Sequence, residues 1–250
     1  MNLTMSDGKA DLGKTRAYYD EFSKSYEKER RPYSPRGYHA MIDDLELAVT
    51  SRYATGKELL ECGCGTGLLL EKMARFARKA VGVDLSPGML EAARARGLEV
   101  HEASLTKLPF ADASFDVTCS YKVLAHVPDV GVALSEMARV TRPGGWILAE
   151  LYNPISLRGL AKKLGPAGKI SDKTKESAVY TRFDAPWIVP RIMPPGTKFD
   201  RAFGVRIVTP TAGAMKIPIL RSILRRAEHA LMPTKMAFFA GFYVAVLRKV

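Results

Sequence analysis

At 250 residues, 47% hydrophobic and 26% charged, the chain can bury a substantial core and lacks the composition of a disordered one. No run approaches the ~20 apolar residues that cross a bilayer, and the segment from Met1 to Gly8 lacks the apolar stretch of an export signal; a cytoplasmic protein, at most peripheral to a membrane, is expected. The net charge of +12 is unevenly placed: residues 1–150 hold 20 basic and 21 acidic side chains, residues 151–250 hold 18 and 5, which implies an acidic partner for the last hundred residues.

In chain order, helices are expected near 14–26 and 35–51, followed from about 57 to 152 by apolar runs alternating with amphipathic stretches. That alternation is the pattern of βαβ units and a parallel sheet. Strands are predicted at Lys57–Cys62, Ala80–Asp84, Leu98–Ala103, Phe115–Ser120 and Trp146–Tyr152, the last after the Pro143-Gly144-Gly145 turn. A helix over Leu68–Ala77 follows the first strand, and Ser86 caps a second whose Pro87 sits in the first turn, where a missing N–H costs nothing. A Pro-, Gly- and Lys-rich region covers 153–200, and a hairpin is expected from strands around 203–209 and 242–248, with an amphipathic helix at 215–231 between them. Cys62, Cys64 and Cys119 read as small, buried, reduced residues, because two cysteines two apart at a strand end suit neither a disulfide nor a zinc site.

The chemistry concentrates where the first strand runs into Glu61-Cys62-Gly63-Cys64-Gly65-Thr66-Gly67 and then a helix. Glycines let the backbone turn sharply and approach a ligand, and the free N–H groups of a helix start favour an anionic group. The spacing G-x-G-x-G differs from the dinucleotide fingerprint, whose third glycine would fall at Leu68. Asp84, ending the second strand, stands where a carboxylate can accept hydrogen bonds from both ribose hydroxyls of an adenosine; a helix-start acid is the plainer alternative.

Taken in order, Glu61-x-Gly63-x-Gly65-x-Gly67, Asp84-Leu85-Ser86-Pro87-Gly88-Met89-Leu90, Leu108-Pro109-Phe110 with Ser114-Phe115-Asp116, and Arg139-Val140-Thr141-Arg142-Pro143-Gly144-Gly145 resemble the class I S-adenosylmethionine (SAM) dependent methyltransferases, in particular the ubiquinone/menaquinone-biosynthesis branch. The resemblance covers about 57–152 and implies an α/β, Rossmann-like sheet of seven strands, mostly parallel with an antiparallel last strand. It implies one methyltransferase domain over 1–250: a helical lid (1–56), a SAM-binding core (57–152), a substrate cap (153–200) and a terminal hairpin carrying the amphipathic helix (201–250).

Under this resemblance SAM is the cofactor, with Gly63, Cys64, Gly65 and Gly67 against its methionine part and Glu61 toward its amino group. Asp84 would hold the ribose, Leu85 and Met89 would pack near the adenine, and Leu105 would offer its backbone N–H to the ring. Ser104 stands where relatives often carry an aspartate. His126 and Tyr121, after the fourth strand, are the candidates at the reacting end, His126 as a base since imidazole titrates near pH 6.5. Tyr26 is the aromatic chosen from the lid segment to face SAM and its sulfonium. Both His126 and Tyr26 have a plainer reading as packing residues.

The acceptor is expected to be a small molecule, hydrophobic, lipid-like or anionic, with Arg182 and Arg191 available to an anion. Leu220, Ile223, Leu224, Ala227 and Leu231 form a stripe with Arg221, Arg225 and Arg226 off it, which suits either a packed surface helix or contact with an anionic membrane. No cluster with metal-ligand spacing occurs. An RNA methyltransferase or a SAM-binding protein without methyl transfer stays as the alternative; Ser120-Tyr121-Lys122-Val123 in place of an Asn/Asp-Pro-Pro-Tyr/Phe motif argues against the first. The sequence is silent on oligomeric state.

Overall fold

The protein is described here by a computed structural model covering residues 12–30, 37–156 and 180–250. Its strand-forming runs assemble into one seven-stranded sheet: β1 (Glu58–Cys62), β2 (Lys79–Asp84), β3 (Glu99–Glu102), β4 (Phe115–Ser120), β5 (Thr141–Tyr152), β6 (Thr197–Val205) and β7 (Phe242–Lys249). The order is β3-β2-β1-β4-β5-β7-β6, with β1 to β5 parallel and β7 antiparallel to both neighbours. This is the Rossmann-like sheet the motifs implied.

Six helices of six residues or more are described: α1 (Leu12–Arg30), α2 (Tyr38–Ala54), α3 (Leu68–Met73), α4 (Pro87–Ala95), α5 (Val130–Val140) and α6 (Pro218–Leu231). Central parallel strands must be covered on both faces, which is why β1, β4 and β5 read as near-continuous apolar runs. One face packs under α5, through Leu134 and Met137 against Leu60, Val81 and Ile147. The other packs under α2, α3 and α6, through Met41, Leu45, Met73 and Leu224 against Leu59, Val117, Leu148 and Val246. All three cysteines are free and buried.

The Leu108-Pro109-Phe110 and Arg139 motifs meet in space. Arg139 donates to the carbonyls of Leu108 (3.1 Å) and Phe110 (2.8 Å), while Glu136 accepts from the Leu108 N–H at 2.8 Å. Their part is to fix the loop before β4. Ser86 caps α4 as expected, its hydroxyl accepting from the Met89 N–H at 3.1 Å.

Three boundaries differ from expectation. The helix expected to Ala77 ends at Met73, where the chain turns so that the Gly56 N–H reaches the Phe76 carbonyl at 2.9 Å. β5 begins at Thr141 rather than Trp146, because Thr141 already pairs with Phe115. β6 begins at Thr197 rather than near 203, in register with Lys249, so the start of the hairpin lies inside the region expected to be a cap. Nearly half of that region, 157–179, lies outside the described residues.

In α6 the expected stripe is only partly inward. Leu224 is buried, Ile223 is exposed, and a fully buried acid, Glu228, joins the packed side. The Glu228 carboxylate accepts from the N–H groups of Ile207 (2.7 Å), Val208 (3.0 Å) and Thr209 (2.8 Å) and from the Thr209 hydroxyl (2.7 Å). It thereby satisfies the backbone where the chain leaves β6, and a buried amide without a partner is costly. Glu228→Ala should lower unfolding stability by about 3–5 kcal/mol, read as a lower urea midpoint at unchanged slope. A loss under 1 kcal/mol would show that water takes over those amides.

Candidate active site

A cavity of about 330 Å³ lies where the chain leaves β1, β2 and β4, beneath α1. Strand alternation decides what faces it. Leu59 and Glu61, Val117, Cys119 and Tyr121, and Leu148 and Glu150 all fall on the α2 side of the sheet, their neighbours on the α5 side.

The glycine loop is built for close approach. Gly63 has φ +82°, and a Cβ there would lie 2.3 Å from a methyl of Val123, so any side chain would collide with the opposite wall. Gly65, at φ +54°, would point a Cβ into open space; it lines the cavity, so its bare backbone leaves room for a ligand. Cys64 lines the cavity from a buried position, whereas Gly67 lies behind it against Leu98.

Asp84 ties two loops together. One oxygen accepts from the Gly65 N–H at 2.8 Å and the other from the Ser86 N–H at 2.9 Å. Burial pushes its pKa up, and these backbone bonds pull it back down. Each carboxylate oxygen can accept two hydrogen bonds, so the residue retains capacity for a diol in the cavity that it lines. The helix-start and ligand readings of Asp84 are thus compatible.

Glu61 also lines the cavity while only 3% exposed, and its Oε2 has no hydrogen-bond partner. Burial holds its carboxyl well above the usual value of 4.5, neighbouring Glu46 adds to the rise, and Lys122 opposes it. A buried acceptor without a donor marks a place for a ligand ammonium or another N–H group. Leu85, Met89, Ser104 and Leu105 line the same cavity. Ser104 shares a hydrogen bond with the Thr106 hydroxyl at 2.8 Å, so its hydroxyl is already engaged locally.

Beyond β4, His126 lines the cavity and its Nδ1 lies 3.0 Å from the Tyr180 carbonyl. A carbonyl only accepts, so Nδ1 carries the proton and the lone pair of the neutral ring sits on Nε2. The imidazole stands edge-on to Tyr19 and Tyr152, with ring centroids 6.3 and 5.8 Å away. Tyr121 lines the cavity, but its hydroxyl turns into α2, 2.7 Å from the Thr50 hydroxyl. Its ring therefore forms wall, and the geometry gives its hydroxyl no reach toward a substrate.

Several residues escaped sequence reasoning. Tyr26 lines the cavity as expected, but so do Tyr19, Phe22, Lys122 and Tyr152. Asp20 on α1 accepts from the Ser86 hydroxyl (2.5 Å) and the Gly88 N–H (3.1 Å), the former chiefly holding its pKa down. With Glu27–Arg96 (2.6 Å) and Arg16–Glu102 (2.6 Å), this latches α1 over the cavity. Arg182 is not an open cation: its guanidinium pairs with both oxygens of Asp184 at 2.7 Å, while Arg191 is exposed. No group able to hold a metal occurs among the described residues.

Comparison with known proteins agrees with this geometry. Residues 60–149 match the family model described as a methyltransferase domain. An uncharacterised methyltransferase of Mycobacterium sp. (strain JLS) is 44% identical over 109 residues, covering 42% of this chain and 43% of that protein. A ubiquinone biosynthesis O-methyltransferase of Alkalilimnicola ehrlichii is 30% identical over 162 residues, covering 60% of this chain and 66% of that one. The chain spans about two fifths of the length of the first curated relatives it matches. A SAM-dependent methyltransferase from Thermotoga maritima shares the fold at 20% identity with a TM-score of 0.65, over 94% of this chain and 99% of that one. Residues 60–149, which hold the glycine loop, Asp84 and the strand ends around the cavity, match a methyltransferase domain, and the sheet that carries them has the fold of SAM-dependent methyltransferases.

Proposed function

We propose that the chain as a whole transfers the methyl group of SAM to a small, largely apolar acceptor held among Tyr19, His126 and Tyr152. The observation that carries this reading is one continuous cavity with two chemically distinct ends. Glu61 and Asp84 form a polar end for an ammonium and a diol, and aromatic rings with an imidazole form the other.

The residues present fit SAM. Glu61 Oε2 would meet its ammonium, Asp84 its ribose hydroxyls, Gly65 its close approach, and Leu85 and Met89 its adenine. When bound, SAM supplies a methyl group already activated by a positively charged sulfur. The protein's task is then alignment and exclusion of water. The latched α1 closes the cavity, Tyr19 and Tyr26 contribute aromatic rings to its lining, which suit a cation, and Lys122, Val123, His126 and Val127 complete that wall. His126, with its lone pair on Nε2, takes the proton released by an acceptor hydroxyl. The apolar lining and the likeness to a ubiquinone-biosynthesis enzyme favour phenolic, quinone-like or lipid-like acceptors over polar ones.

Calorimetric titration should show saturable SAM binding that Asp84→Ala weakens by at least tenfold; a folded wild type that binds no SAM would overturn the reading. With a hydroxyl acceptor, His126→Ala should lower kcat about 100-fold at unchanged SAM affinity and remove the acidic limb of the pH profile. A profile still falling at low pH with the same midpoint would take the base role away from His126.

Glu61 carries a further expectation. Its folded pKa lies above its unfolded value, so the folded state binds the extra proton, and stability falls as pH rises above about 4.5 until the group ionises. Glu61→Gln removes that penalty: the apo protein should gain about 1–3 kcal/mol at neutral pH and less at pH 5. The same variant should lose roughly 10- to 100-fold in SAM affinity. Equal melting temperatures for both proteins across this range would show that Glu61 is not desolvated.

A further inference from the structure

The parallel sheet sends the chain out of β4 and β5 at the cavity side. β7 is antiparallel to β5 and to β6, so the chain also leaves β6 at that edge and re-enters β7 there. Phe242 pairs both with Tyr152, ending β5, and with Val205, ending β6. The excursion 206–241, including α6, therefore both begins and ends at the cavity edge of the sheet.

That excursion carries exposed apolar side chains. Ile217, Ile219 and Ile223 are 56%, 78% and 58% exposed, and Ile219 and Ile223 are one helical turn apart on α6. Exposed Phe238 belongs to the same excursion and lies 6.2 Å, ring to ring, from exposed Trp187. Large apolar side chains left in water on this scale mark an interaction surface.

The charge around them names the partner. Residues 206–241 hold six lysines and arginines against one acid, and that acid, Glu228, is fully buried on the amides of 207–209. Lys216, Arg226 and Lys235 are exposed. Isoleucines flanked by basic side chains on a short amphipathic helix suit the headgroup and acyl boundary of an anionic bilayer. A second copy of the chain meeting this face symmetrically would bring like charges together. A nucleic acid would answer the arginines but leave Ile219 and Ile223 in water.

We propose that the surface formed by 216–226 docks on an anionic lipid bilayer. The docking stands apart from the methyl-transfer reading, since it is measured without SAM or acceptor.

The test is flotation of the full chain with vesicles of phosphatidylcholine alone and of phosphatidylcholine mixed with phosphatidylglycerol. The wild type should float with the mixed vesicles only, and added salt should release it. Ile219→Ser with Ile223→Ser should weaken flotation roughly tenfold, with the melting temperature and SAM titration unchanged. Lys216→Glu with Arg226→Glu should weaken it independently. Absence of flotation, or equal flotation by both double variants, would overturn the proposal. So would a lipid-free dimer that the isoleucine variant turns into monomer, or salt-sensitive RNA binding without vesicle binding.

Discussion

The active-site geometry depends on the Asp84 carboxylate. Its two oxygens take the N–H of Gly65 from the loop after β1 and the N–H of Ser86 from the loop after β2. Two neighbouring crossovers are thereby held at a fixed separation. Further anchoring follows on the Ser86 side, where the hydroxyl caps α4 and donates to Asp20 of α1. One acid thus sets the glycine loop, the helix that flanks it and, through Ser86, the helix that covers it. The lone pairs that the loops leave over stay available on a group already oriented by the fold.

A second constraint lies beneath α2. Strand alternation brings Glu61 and Glu150 to the same face as Glu46 of α2, and all three are buried. Burial, aided by Glu46, holds Glu150 well above the usual carboxylate range. Lys122 is the counter-charge: its Nζ lies 2.9 Å from Glu46 and 3.6 Å from Asp43, and its own N–H donates to Glu150 at 2.9 Å. The residue sits at φ +60°, a conformation that costs an L-residue roughly 1–2 kcal/mol. Bonds at both its amide and its ammonium offset that cost. The chain consequently turns at Lys122 directly after β4, which brings Val123 against Gly63 and His126 into the cavity wall. Buried acids that stabilise little on their own account here fix the corner from which Val123 and His126 enter the cavity wall.

Much of this was legible in the sequence because it is local. The strands from 57 to 152 showed themselves as apolar runs, and Ser86-Pro87 and the glycine loop announced their turns through backbone chemistry. Among the cavity residues within those turns, Gly65 and Asp84 followed from the glycine spacing and the strand end, Glu61 and Met89 from the family resemblance. What escaped depends on contacts far apart in the chain. Nothing near Asp20 says that it reaches Ser86, and a helix carrying Tyr18, Tyr19, Phe22 and Tyr26 does not reveal which rings its docking turns inward. The place of Tyr121 after β4 puts it in the cavity wall, as its sequence position suggests; only the position of Thr50 on α2 shows where its hydroxyl goes. Arg182 looked available until Asp184, two residues on, proved to be its partner.

The charge asymmetry gains a structural meaning from the same topology. Residues 1–150 spend their acids in pairs, as in Glu58 and Asp116 with Arg142 or Glu136 with Arg139, and remain near neutral. In 206–241 the only acid is consumed by backbone amides, so nothing of opposite sign is left within that excursion to answer its surface cations. One of them, Arg225, pairs instead with Asp44 of α2, which fastens α6 to the helix behind the cavity. The basic surface and the catalytic cavity are therefore joined through α2, whose Glu46 faces Lys122 on one side while its Asp44 holds α6 on the other. A load placed on α6 bears on the same helix that positions the corner after β4.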